Sequence, residues 1–183
     1  MPALQGIPLP ADDPSVSLEH AEPTWFDDDV VEPDAAGLDH VVVRLGPGRY
    51  GVEAVRVVEV VPVPALTRLP AAPAWVRGVG NWRGRVLPVV DLRPLLGVAA
   101  TPLASSARVV VLRSDETEVG VVADAVQGLL EVPEDHEPPP VTLAGDSAEL
   151  VRGLADESSP YGPVALLDAD AVLRLGRRVA RGR

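Results

Sequence analysis

The stretch Trp75-Val76-Arg77-Gly78-Val79-Gly80-Asn81-Trp82-Arg83-Gly84-Arg85-Val86-Leu87-Pro88-Val89-Val90-Asp91-Leu92 decides which fold the chain can take. Its centre has the glycine density of a nucleotide-binding loop. The spacing, however, is G-x-G-x-x-x-G, one residue off the dinucleotide fingerprint. Such a loop should open a helix whose N-terminus receives a pyrophosphate. Here the strand-like Val86-Leu87-Pro88-Val89-Val90 follows instead. The segment is therefore predicted to be a β-turn between two strands, with glycines supplying positive φ.

Short, punctuated apolar runs of the same kind recur on both sides. Val41-Val42-Val43-Arg44-Leu45 stops at Gly46-Pro47-Gly48, and Val57-Val58-Glu59-Val60-Val61 stops at Pro62. Val109-Val110-Val111-Leu112 enters the polar turn Ser114-Asp115-Glu116-Thr117, and Val119-Gly120-Val121-Val122 leaves it. Ala165-Leu166-Leu167 ends at Asp168. The chain has 32 Val against one Ile and one Phe. Val is stiff at its first side-chain torsion and suits a pleated sheet, so a mainly β protein built as small barrels or a sandwich is predicted. Helix signals are few. Asp91 is placed to cap a short turn through Leu95-Leu96 ending at Gly97, and Asp168 to cap Ala171–Leu175 ending at Gly176.

The order of elements repeats. Val76-Arg77-Gly78-Val79 returns as Val151-Arg152-Gly153-Leu154, and Pro88-Val89-Val90-Asp91 returns as Ala165-Leu166-Leu167-Asp168. Gly51-Val52 through Glu59-Val60-Val61-Pro62 matches Gly120-Val121 through Glu131-Val132-Pro133 more loosely. Two similar β subdomains are expected, about 38–100 and about 107–177. Domains this small have marginal cores, so the two should pack together and share one.

Charge separates a tail from this body. Residues 1–38 hold nine acids, six Pro and no Arg, whereas from Asp39 onward eighteen acids face sixteen Arg. Residues 1–37 are expected to be a disordered, acidic, Pro-rich tail, with Trp25-Phe26 as a candidate docking motif. Residues 178–183 are expected to be a basic, frayed C-terminal tail.

Composition narrows the chemistry. There is no Cys and no Lys, which excludes disulfides, a thiol nucleophile, a Schiff-base lysine and a P-loop lysine. A net charge of −11 argues against nucleic acid or anionic lipid as a partner. No signal peptide and no apolar run long enough for membrane insertion is seen, so a cytoplasmic location is expected. Asp91, Asp124 and Asp168 each follow an apolar run. They are either turn caps or, if they converge, a metal or small-molecule site. Ser105-Ser106 and Ser158-Ser159 lack the surroundings of an activated nucleophile. No catalytic constellation is present, and binding is the expected activity. Trp75, Arg77, Trp82, Arg83 and Arg85 form a cluster of the residue types that dominate interaction hot spots. Trp75 is expected in a core and Arg83 at the surface.

These motifs also carry a family resemblance. Tyr50-Gly51-Val52, Val57-Val58-Glu59-Val60, Thr67-Arg68-Leu69-Pro70 and above all Asn81-Trp82-Arg83-Gly84 with Pro88-Val89-Val90-Asp91-Leu92 resemble the signature of the CheW-like adaptor family. The resemblance covers about residues 39–177 and is looser in the second half. It departs from the usual pattern at Trp82, where Leu is common. It implies two SH3-like five-stranded β-barrels around a shared core and a non-enzymatic adaptor without cofactor. The implied partners are a methyl-accepting chemoreceptor's cytoplasmic tip and the regulatory domain of a CheA-type histidine kinase. The implied receptor-side residues are Val57, Glu59, Gly78 and Arg83. The system served is then chemotaxis or, alternatively, a type IV pilus or other receptor–kinase array.

Overall fold

The computed structural model describes residues 37–115, 117–134, 136–139, 145–155 and 159–181. Of the expected acidic tail 1–37, residues 1–36, Trp25-Phe26 included, lie outside the described residues.

Strands β1 (Leu38–Leu45) and β2 (Gly48–Glu53) form the first hairpin, turning at Gly46-Pro47 as predicted. β3 (Val57–Pro62), the short β4 (Leu66–Thr67), β5 (Val76–Trp82) and β6 (Arg85–Val90) complete the first half. The second half opens with the hairpin β7 (Arg108–Ser114) and β8 (Thr117–Ala123). It continues with β9 (Ala125–Val132), α1 (Asp146–Leu150), β10 (Val151–Ala155), β11 (Val164–Leu167) and α2 (Ala169–Ala180).

Two sheets result. One has the order β10-β11-β2-β1-β9, the other β3-β7-β8-β6-β5-β4. Neither is made from one half of the sequence. The hairpin β1-β2 joins three strands of the second half, and β7-β8 joins four strands of the first. The two arrangements correspond register by register. Gly51 pairs with Val42 and Leu166, as Gly120 pairs with Val111 and Val89. The β1–β9 ladder slips beside Gln127, and the β3–β7 ladder slips at the matching place beside Val58. A further bulge falls between Val76 and Gly78 in β5 and between Val151 and Gly153 in β10. The repeat is thus a duplication in which each copy lends its leading hairpin to the other.

Alternation along the strands builds three apolar clusters. The six-stranded sheet rolls around Trp82, Leu87, Val89, Val109, Val111 and Val122. The five-stranded sheet rolls around Val42, Val132, Ala155, Val164 and Leu166. Opposite faces of the two hairpins meet in the largest cluster, where Val41, Val43, Val52, Val110, Leu112 and Val121 pack with Val172 and Leu173 of α2. This is the shared core that the repeat implied.

The end of the chain differs from expectation. Asp168 does cap α2, accepting from the Ala171 N–H at 2.8 Å, but the helix runs through Gly176 to Ala180 instead of stopping. Gly176 is buried, and a Cβ there would lie 2.8 Å from Val119 Cβ, so the glycine serves close packing of α2 on β8 and not termination. Val179 is buried as well, and the part of the expected basic tail up to Ala180 is helix. Arg177 and Arg178 complement the negative end of the helix dipole.

Candidate protein-docking surface

The turn between β5 and β6 consists of Arg83 and Gly84, with φ of +51° and +77°. Two positive φ values between paired strands make the tight hairpin that the right-handed strand twist favours. Asn81 Oδ1 braces it by accepting from the Gly84 N–H at 3.0 Å. The turn carries Arg83 outward at the end of the barrel, with 63% of its side chain exposed.

Glu59 reaches the same place from β3. The bulge beside it re-aims the strand: Val57 packs toward the shared core and Val58 into the barrel. The Glu59 side chain, 35% exposed, then stands over the barrel end. Its Oε2 accepts from Trp82 Nε1 at 2.8 Å and lies 3.1 Å from Arg83 Nη2. The Arg83 guanidinium carbon is 5.0 Å from the centroid of the Trp82 ring, and that of Arg113, on β7, is 6.0 Å away. Arg113 and Arg85 both pair with Glu118, whose side chain is only 8% exposed, at 2.7 and 3.0 Å. The result is a charged barrel end in which Glu59, Arg83 and Arg113 meet one indole and Glu118 links Arg113 to Arg85.

Of the four residues expected to contact a receptor, the structure brings Glu59 and Arg83 together. Val57 is half-buried and lies on the core side of the bulge. Gly78 is buried with φ of +134°, and a Cβ there would collide with the Thr67 carbonyl of β4. Trp82, not Trp75, is the better buried indole, at 6% exposure. Trp75 is half-buried, packs on the shared core and lies under Arg178.

The three aspartates have other employment. Asp91 is buried and accepts from the Arg93 backbone N–H and, through both oxygens, from the Arg93 guanidinium at 2.7 and 2.9 Å. Asp124 accepts from Arg93 Nη1 at 3.1 Å and from the Gly46 N–H at 2.6 Å. Asp168 caps α2. Among the described residues no group of three or more His, Asp or Glu could hold a metal ion. Arg93 itself is fully buried, and its hydrogen bonds to Asp91 hold its proton more firmly than usual. Its one signal in the sequence is the position of an Arg inside the apolar run Leu92 to Leu96.

Among the described residues no helix is long and apolar enough to cross a membrane. The family model described as CheW-like domain matches residues 39–176. Protein FrzA of Myxococcus xanthus is 37% identical over 142 residues, which span 76% of this chain and 88% of that protein. Protein PilI of Pseudomonas aeruginosa is 38% identical over 122 residues, 64% of this chain and 67% of that protein. Chemotaxis protein CheW of Treponema pallidum is 28% identical over 126 residues, 66% of this chain and 74% of that protein. The crystal structure of the scaffolding protein TtCheW from Thermoanaerobacter tengcongensis has the same fold, with a TM-score of 0.64 at 24% identity over 72% of this chain and 89% of that one. The chain belongs to the CheW-like domain family.

Proposed function

We propose that this chain is a non-enzymatic cytoplasmic adaptor that couples the cytoplasmic tip of a methyl-accepting chemoreceptor to the regulatory domain of a CheA-type histidine kinase. The observation that carries this reading is the Glu59–Arg83 pair. Two of the four residues singled out by family resemblance, from segments distant in sequence, meet at the surface of a barrel end. Val57 and Gly78 act beneath it. Val57 seats β3 on the shared core, and Gly78 admits β4 against β5, so together they set where the charged pair stands.

The mechanism is positional. The adaptor holds receptor and kinase in a fixed relation, and a change in the receptor biases the kinase equilibrium through contacts that differ between its states. Each contact is modest, and affinity accumulates when many sit in one array.

The test is a pull-down of a chemoreceptor cytoplasmic fragment and a CheA-type kinase from the source organism. Glu59→Ala and Arg83→Ala are each expected to weaken capture by on the order of tenfold while still folding and melting cooperatively. Undiminished capture by both variants would refute the assignment. Val89→Asp, which buries an unpaired charge at a position with 0% exposure, marks what unfolding looks like in the same assay. A second reading places the same coupling in a type IV pilus or other receptor–kinase system. Two of the relatives, FrzA and PilI, are not named for chemotaxis. A deletion strain that swims normally toward attractants but loses pilus-driven movement favours this second reading.

A further inference from the structure

Trp82 does more than fill a barrel. Its ring belongs to the apolar cluster of the six-stranded sheet, yet its one polar atom and its outer face both serve charged groups. The indole N–H donates to Glu59 Oε2, the same oxygen that faces Arg83. The guanidinium of Arg83 lies over the ring at cation–π distance.

The other barrel shows that closing a barrel end with an aromatic needs no such charges. There Tyr161 packs on the corresponding cluster and donates its hydroxyl to the Leu129 carbonyl at 3.3 Å. The residue in register with Glu59 is Gly128, where a Cβ would strike the Tyr161 hydroxyl. One aromatic plug is paired with backbone, the other with a carboxylate and a guanidinium. A leucine at position 82 would keep an apolar side chain in the cluster, smaller than the indole, but offer neither a donor nor a ring.

We propose that Trp82 is a positioning residue of the docking surface: its N–H fixes the Glu59 carboxylate and its ring carries Arg83, so the pair meets its partner already oriented. This rests on the docking reading above. An unsupported Arg loses rotamer freedom when a partner orders it, and a stacked one has lost most of it beforehand. The guanidinium donors not aimed at Glu59 remain free to meet carboxylate or carbonyl oxygens of the partner.

The experiment uses the full chain, an immobilised chemoreceptor cytoplasmic fragment and four variants. Trp82→Phe keeps a ring and removes the donor, Trp82→Leu removes both, and Arg83→Ala is made alone and on the Trp82→Leu background. Trp82→Phe is expected to weaken binding roughly threefold to tenfold with a cooperative melt, and Trp82→Leu more. Arg83→Ala should then cost clearly less on the Trp82→Leu background than in wild type, the non-additivity of coupled residues. Equal costs on both backgrounds, or wild-type binding by Trp82→Phe and Trp82→Leu, overturn the proposal and leave the docking surface standing. An Arg83→Ala variant that binds like wild type overturns the docking reading itself. A partner-free check is the indole N–H resonance of Trp82, identified by its loss in Trp82→Phe. Glu59→Gln should shift it, and an unmoved resonance overturns the proposed contact whatever the binding data say.

Discussion

Arg83 occupies a left-handed backbone position, φ +51°, that glycine or asparagine fills at less cost. A residue with a Cβ there gives up on the order of 1 kcal/mol. Its mostly exposed ion pair with Glu59 contributes at most about 1 kcal/mol, and its stacking on Trp82 about 0.5–1 kcal/mol more. These contacts roughly offset the backbone cost, so Arg83 adds little net stability, and the proposed docking role gives it a separate reason to be there. Arg83→Gly is expected to melt at or slightly above the wild-type temperature and to lose receptor-fragment binding. A variant that binds normally would show that the turn, not the guanidinium, is what the partner meets. The charged pair itself was legible only through family resemblance. Nothing in the spacing of Glu59 and Trp82 announces their contact, because it exists only once the six-stranded sheet has rolled up. Arg93 was illegible for a different reason. A lone cation reads as surface until the two carboxylates that enclose it are seen to converge.

Among the elements, strands that are apolar runs between turn residues were readable: β1, β3, β6, β7, β8 and β11. β9, with Gly128 at its bulge, breaks the two-residue period on which such a prediction rests, and β2 is glycine-rich at its start. The end of α2 was misjudged because a glycine at the close of a helical pattern signals either termination or close packing, and only the neighbour, Val119, distinguishes them. On β1, His40 is buried in the five-stranded barrel. Its Nδ1 is 2.7 Å from the Leu38 carbonyl, to which it donates, and its Nε2 accepts from Arg152, which also pairs with Glu53 of β2. Burial above all, with the Arg152 charge adding to it, holds His40 below its usual 6.5, although the Leu38 carbonyl pulls the other way. In the fold the ring takes up a proton only at a lower pH than in the unfolded chain, where it does so near pH 6.5. The stability this represents is intact above that pH. It is lost as the pH falls from there to the folded value, with a slope of at most about 1.4 kcal/mol per pH unit. Urea unfolding at pH 7.5, 6.5 and 5.5 should show wild type losing more stability than His40→Gln. Parallel losses would show that the imidazole is not buried neutral.

At the scale of the molecule, the common core was visible in the repeat, and the exchange of hairpins was not. A repeat reports which segments are alike, not which copy each segment pairs with. Arg93 ties the exchanged parts together. It holds Asp91 after β6 and Asp124 after β8, and Asp124 in turn holds the β1–β2 turn through Gly46. Arg93→Ala leaves Asp91 charged and buried without its counter-ion, which should cost about 3–5 kcal/mol in denaturant unfolding. A loss below about 1 kcal/mol would show that the cluster is solvated and not a strut between the two sheets.

The lending of hairpins leaves each half incomplete by itself, with a hairpin that has no sheet and a sheet that lacks its hairpin. Carrying both halves on one chain keeps the missing piece always at hand, independent of concentration. The two ends so completed bear different side chains: Glu59, Trp82 and Arg83 at one, Gly128 and Tyr161 at the other.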